Sequence, residues 1–214
     1  MNLPLKLTDR KRQAVVDAAI AEFRTSGFEA TSMDKIAATA GVSKRTVYNH
    51  FPSKDELFAQ ILHQLWTSTS ALMETPYVPE LPLRQQLMEI LGKKMAMLQD
   101  AYFLDLARVA IAETIHSPAR AHEMVARLTA KEEAVTQWLR AAQADGKLRD
   151  ADPVLASQML QGQLKTFAFW PQVTLNQPPL DQATQQKVLD ATVDMFLAYY
   201  GPGANPANQA KLTA

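Results

Sequence analysis

Between Thr31 and Leu57 the chain alternates helix stops and helix starts so closely that only short helices fit. Ile36, Ala37 and Ala40 form the inner face of a first helix, and the small side chain of Ala37 permits a close crossing. Gly41 is the residue type that a left-handed turn position requires. Ser43 is placed to cap a second helix, and Val42 just before it can pack on Val47 as a hydrophobic staple. Pro52 ends that helix after about six or seven residues. Ser53-Lys54-Asp55-Glu56 then reads as a capping box that opens a third. Two short helices across a tight glycine turn, with another helix starting at once, follow helix-turn-helix grammar.

The remainder of the chain is helical too. Only seven glycines occur in 214 residues, Val/Ile-rich alternation is missing, and apolar residues recur at helical spacing. A first helix is expected from Thr8, as N-cap, to about Thr25, with Val15, Val16, Ala19, Ile20 and Phe23 on one face and Ser26-Gly27 as its stop. Further helices are expected at about 32–40, 43–49, 53–73, 83–98, 101–116, 118–129 and 130–145. Pro76, Pro79 and Pro82 make a loop, and Pro118 forces a break. Asp152 with Pro153 opens a helix that runs to Trp170 and is stopped by Pro171. The last helix runs from about Asp181 to Tyr200 and is stopped by Gly201-Pro202-Gly203. The fold class is all-α, with about nine helices in total. The expected division is a helix-turn-helix domain over 8–54, a larger helical domain over 55–200 and a disordered tail over 201–214.

Composition narrows the function classes. The 22 Lys+Arg balance 22 Asp+Glu, yet residues 1–55 hold nine basic side chains against six acidic ones. A basic first quarter on an acidic remainder suits a small anion-binding module on a larger body. The absence of cysteine removes disulfides, thiolate zinc sites and cysteine nucleophiles. No apolar run approaches the roughly 18 residues of a membrane span, and the start lacks a signal-peptide pattern. The expected location is therefore cytoplasmic, with no membrane partner.

On the second short helix the outward side chains are expected to be Lys44, Arg45, Tyr48 and Asn49, with Val47 and Phe51 turned inward. Cationic, aromatic and amide groups on a short exposed surface suit the major groove of double-stranded DNA. Arg45 can bridge a guanine edge, Asn49 an adenine, and Tyr48 can touch a thymine methyl or a phosphate. Thr31 or Ser32 at one helix start, His50, and Lys54 at another helix start could hold phosphates. The pattern Ile36-Ala37-x-x-Ala40-Gly41-Val42-Ser43, then Thr46-Val47-Tyr48-x-His50-Phe51-Pro52-Ser53-Lys54-x-x-Leu57, resembles the N-terminal motif of the TetR family of one-component transcriptional regulators. The approach Gly27-Phe28-x-x-Thr31-Ser32 resembles it as well. That resemblance covers about residues 8–60. It implies a three-helix DNA-binding domain followed by a helical domain for dimerisation and ligand binding. It also implies that Lys44, Arg45, Thr46 and Tyr48 lie on the recognition helix, with Ser43 at its start, and that His50 and Lys54 meet phosphate. Arg45 stands where many members have glycine, which marks it as a specificity determinant. Ile111-Ala112-Glu113-Thr114 and Gly146-Lys147-Leu148-Arg149-Asp150-Ala151-Asp152-Pro153 resemble the C-terminal domain of the AefR-like subgroup.

For the larger domain, Met95, Phe103, Met124, Phe167 and Trp170 are candidates to line a cavity for an apolar or amphipathic effector, with Glu113 or His116 as polar contacts. Val154, Leu155, Met159 and Leu164 form one stripe, and Val188, Val193, Phe196, Leu197 and Tyr200 another. Together they are expected to pair with their symmetry mates as a four-helix bundle in a homodimer. The function this composes is a regulator, a repressor by family expectation, that grips a near-palindromic operator as a dimer and is released by a small effector. Two other readings compete. An architectural DNA-binding protein would need no effector. A helical-bundle metalloenzyme would use Glu113-x-x-His116, but it needs a second such pair and the sequence has none. No catalytic residue, metal or cofactor is expected, since nucleophile-elbow, P-loop and dinucleotide patterns are missing.

Overall fold

The computed structural model describes residues 7–71, 75–117 and 134–202. Among these, ten helices and no strand occur: α1 Leu7–Ser26, α2 Met33–Thr39, α3 Lys44–His50, α4 Lys54–Ala71, α5 Leu83–Leu98, α6 Ala101–His116, α7 Ala134–Ala144, α8 Pro153–Ala168, α9 Trp170–Thr174 and α10 Gln182–Tyr200. The helix expected over 118–129, and the start of that expected at 130, lie outside the described residues. The chain divides into two compact units, Met1–Thr69 with Ala101–Ala130, and Ser70–Asp100 with Lys131–Ala214.

The first unit is built on α1. Its buried stripe of Val15, Val16, Ala19, Ile20 and Phe23 recurs at helical spacing, so one face goes inward and the charged face stays in water. Thr8 lies inside the first turn of α1 rather than capping it. Phe23, Phe28 and Phe58 meet with ring centroids 5.2, 6.4 and 5.3 Å apart, which ties α1 and the following loop to α4. Leu57 and Ile61 of α4 and Leu106, Val109 and Ala110 of α6 bury into that same core. The compact unit holding the helix-turn-helix is thus larger than residues 8–54, because α4 and α6 supply part of its interior.

In the second unit α5 and α10 run antiparallel. Arg84 pairs with Asp190 at 2.7 Å and Asp194 at 3.2 Å at one end, while Leu180 donates its N–H to Gln99 Oε1 at 2.6 Å at the other. Gln86 is buried and fully used. Its amide donates to the carbonyls of Val78 and Leu81 at 2.8 and 2.9 Å, and its Oε1 accepts from Val78 N–H and from the buried Trp138 Nε1–H. The proline loop, which cannot supply a full set of its own backbone donors, takes three of its hydrogen bonds from this one side chain. Tyr77 of the loop donates to Asp145 at 2.7 Å; burial, then this carboxylate, pushes its phenol up to about 12.

Asp152 caps α8, accepting from Val154 N–H at 2.8 Å, and Pro153 takes the first turn as expected. The far end differs from expectation. α8 stops at Ala168, Phe169 leaves helical geometry (φ −134, ψ −62), and Trp170–Thr174 forms a separate turn of helix containing Pro171. Proline tolerates a first turn, so Pro171 helps to start α9 rather than merely ending α8.

The expected pairing stripes split between two fates. Leu164 and Val193 are wholly buried inside this unit, Val188, Phe196 and Tyr200 are buried too, and Leu197 is half-buried. All but Leu197 are core of one copy, which corrects their placement at an intermolecular face. Helix packing within the unit already uses that side of each helix. Val154, Leu155 and Met159 are exposed, the last two at 52% and 54%. They share this condition with Phe167, Trp170, Met195 and Tyr199, so α8, α9 and α10 each carry apolar side chains left uncovered in one copy.

Candidate nucleic-acid interface

α2 is fastened to α1 by polar side chains. Glu22 accepts from Thr39 at 2.6 Å and pairs with Lys35 at 2.7 Å, and these two donors hold its carboxyl below the usual range. Ser32 caps α2, accepting from Lys35 N–H at 3.2 Å. At the other end Gly41 N–H donates to Ala38 O at 3.2 Å and Val42 N–H to Ala37 O at 3.1 Å. That doubly bonded ending is a Schellman motif, with Gly41 at φ +64 in its left-handed position. Val42 packs on the core beside Val47.

α3 follows, seven residues long. Ser43 accepts from Thr46 N–H at 3.1 Å, and the two hydroxyls meet at 2.8 Å. Val47 is wholly buried and Phe51 is 3% exposed, so the helix is held from beneath. Lys44, Arg45, Tyr48 and Asn49 are exposed on its other side, Thr46 and His50 half-buried. Lys44 pairs with Asp34 of α2 at 2.6 Å; that hydrogen bond and charge raise its ammonium above the ordinary value. Asp34, which sequence reasoning passed over, pre-positions Lys44. Its i-to-i+10 relation across the glycine turn follows no helical period, so no periodic signal marks it. Arg45 has no ion-pair partner among the described residues.

Two expected phosphate contacts are placed differently from the rest. Thr31 is buried, and its hydroxyl donates inward to Gly27 O at 2.8 Å and Glu22 O at 3.3 Å. It ties the α1–α2 loop to the end of α1, and this corrects its reading as a phosphate donor. Lys54 is half-buried with its ammonium over the Phe28 ring, 4.3 Å from the centroid, donating to Phe28 O at 2.6 Å and Glu29 O at 3.1 Å. Ser53 caps α4 as expected, accepting from Glu56 N–H at 3.1 Å.

The effector candidates divide between the two units. Met95 is buried in the second unit, while Phe103 and Glu113 are buried in the first. Phe167 and Trp170 are 51% and 46% exposed in one copy. Met124 and the side chain of His116 lie outside the described residues. Among the described residues no group of three or more acidic or histidine side chains is set to hold a metal ion. None of the helices there is long and apolar enough to cross a membrane.

Comparisons with known proteins agree with this geometry. The family model described as bacterial regulatory proteins, tetR family, matches residues 15–61. A second, described as AefR-like transcriptional repressor, C-terminal domain, matches residues 85–202. A TetR family transcriptional regulator of known structure from Pseudomonas syringae pv. tomato is 52% identical, with a TM-score of 0.82 over 91% of this chain and 98% of that one. The structure of the flavonoid-responsive regulator FrrA is 27% identical, with a TM-score of 0.63 over 92% of this chain and all of that one. The HTH-type transcriptional regulator RutR of Escherichia coli is 27% identical over 172 residues, 76% of each chain. A helix-turn-helix with an exposed cationic second helix, joined to an all-helical partner unit matched over more than half the chain, carries one conclusion: the protein belongs to the TetR family of DNA-binding transcriptional regulators.

Proposed function

We propose that the chain works as a homodimeric repressor that reads a near-palindromic operator with α3 of each copy and leaves it when a small apolar or amphipathic effector binds. The observation that carries the reading is α3 itself, with Val47 and Phe51 buried beneath and Lys44, Arg45, Tyr48 and Asn49 exposed above. In a major groove Arg45 would face a guanine edge and Asn49 an adenine, while Lys44, Ser43, Thr46, His50, Ser32 and Lys54 would face backbone or flanking bases. Lys54 would have to release the carbonyls of Phe28 and Glu29 to do so.

A seven-residue helix offers too few base contacts for tight binding alone, so a second copy is required. The exposure of Leu155, Met159, Phe167, Met195 and Tyr199 supports pairing through α8 and α10 as a four-helix bundle. Two reading helices about 34 Å apart would then meet successive major grooves on one face of the duplex. An effector that favours a different separation opposes simultaneous entry. A coupling of about 2–3 kcal/mol would cost roughly a hundredfold in operator affinity. The flavonoid response in the name of FrrA supports an amphipathic effector, and a role on chromosomal DNA makes the protein cytoplasmic.

Selection of duplexes from a random pool, followed by sedimentation of the complex, tests this directly. The expected result is an inverted repeat bound by two chains, with affinity lost in a Lys44→Ala/Arg45→Ala variant. A single half-site bound by one chain would refute it. Small molecules that raise the melting temperature and weaken binding to the selected duplex together would identify the effector.

A further inference from the structure

Arg12 lies on α1, distant in sequence from the reading helix, yet its side chain joins three elements. One guanidinium NH2 donates to Gln60 Oε1 of α4 at 2.8 Å. The guanidinium carbon sits 4.9 Å from the centroid of the Phe51 ring. Phe51 is the residue that closes α3, its N–H donating to Val47 O at 2.9 Å. No carboxylate pairs with Arg12 among the described residues, so its cation is engaged by an aromatic face and an amide oxygen alone. Arginine makes both at once because its planar guanidinium can lie over the ring while an edge N–H reaches the amide oxygen.

α3 has one buried residue of its own, Val47. Its inclination is therefore set at its ends, by the Gly41 turn at the start and by Phe51 at the finish. A helix of that length spans about 10 Å, so a tilt of about 10° pivoting at Phe51 displaces Lys44 by nearly 2 Å. Bidentate contacts to base edges tolerate roughly 0.5 Å. Backbone phosphates, which are numerous and met by flexible side chains, tolerate far more.

We infer that Arg12 is a positioning residue for operator recognition: clamped between Phe51 and Gln60, it fixes the inclination of α3 without touching DNA. This rests on α3 being the reading helix. Arg12 looks in the sequence like another member of the basic run Arg10-Lys11-Arg12, suited to phosphate. The geometry instead gives it an internal task.

The test measures binding of full-length wild type, Arg12→Ala, Arg12→Lys and Gln60→Ala to a duplex selected by the wild type and to a scrambled duplex, across a salt series. Arg12→Ala should weaken binding to the selected duplex about tenfold and leave the scrambled duplex within twofold. Its salt slope should match the wild type. Arg12→Lys keeps a cation over the ring but loses the fork, and should fall between the two. The Arg12→Ala/Gln60→Ala double variant, measured alongside, should lose no more affinity than Arg12→Ala alone. A flatter slope, by about 0.9, with equal loss on both duplexes would assign Arg12 to a phosphate and overturn the inference. A lowered melting temperature with unchanged affinity for both duplexes would overturn it also, leaving a purely structural arginine. A Lys44→Ala/Arg45→Ala control separates the two levels: if that variant binds the selected duplex like the wild type, the assignment of α3 fails whatever Arg12 does.

Discussion

Replacing Gly41 by alanine isolates the energetic cost of the turn between α2 and α3. Gly41 holds φ +64, and a Cβ built on it would meet no other atom within 4 Å. The cost is therefore conformational rather than steric. Placing an L-residue in the left-handed region costs about 1–2 kcal/mol. The lost flexibility of the unfolded chain returns about 0.4–1 kcal/mol of it. The net expectation for Gly41→Ala is a loss of about 1 kcal/mol, which for a chain of this size lowers the melting temperature by about 2–4 °C. Asparagine visits the same region more readily, so Gly41→Asn should cost about half as much, and β-branched Gly41→Val clearly more. Urea unfolding followed by circular dichroism measures all three. Because the bonds from Gly41 N–H and Val42 N–H can persist in the alanine variant, its affinity for the selected duplex should stay within about threefold. Equal losses for alanine and asparagine, or a loss above about 3 kcal/mol for alanine, would mean that the Cβ meets an obstacle and that the conformational reasoning is wrong.

Three further outcomes are expected. Thr31→Val keeps the shape of a buried side chain but removes its donation to Gly27 O and Glu22 O; it should cost about 1–2 kcal/mol and leave the salt slope of DNA binding as in the wild type, whereas a flattened slope would restore a phosphate contact. Leu155→Glu with Met195→Glu, both more than half exposed in one copy, should give a folded monomer in sedimentation velocity, and a persistent dimer would place the pairing face elsewhere. Leu164→Ala, wholly buried in one copy, should instead lower stability by about 3–5 kcal/mol at any protein concentration. Finally, the Tyr77 phenol is raised to about 12 by burial and by Asp145, so below pH 10 it is protonated folded or unfolded and its contribution is fully present. Between pH 10 and about 12 the unfolded chain ionises first, and that contribution is lost as pH rises. Tyr77→Phe should remove this part of the alkaline loss, and an unchanged alkaline profile would count against the burial of the phenol.

What the sequence alone decided is local. The caps at Ser43, Ser53 and Asp152, the turn at Gly41 and the outward set Lys44, Arg45, Tyr48 and Asn49 were legible because each depends on partners within about one helical turn or one tight loop. α3 is so short that Val47 and Phe51 leave only one way for it to face. The apolar stripes of α8 and α10 were a different problem. Each helix carries two, Leu160 and Leu164 against Leu155 and Met159 on α8, Val193 and Phe196 against Met195 and Tyr199 on α10. Hydrophobicity is non-directional, so periodicity reports that both stripes seek cover but not which is covered by the same chain. Only the packing of α5, α8 and α10 against one another chose. The same holds for Thr31, Lys54 and Arg12, whose side chains have both an apolar stem and a polar end. Where such a residue points is set by what lies over it: the end of α1 for Thr31, the Phe28 ring for Lys54, the Phe51 ring for Arg12. For Lys54 and Arg12 those neighbours are brought there by the tertiary fold, from positions that no local pattern connects.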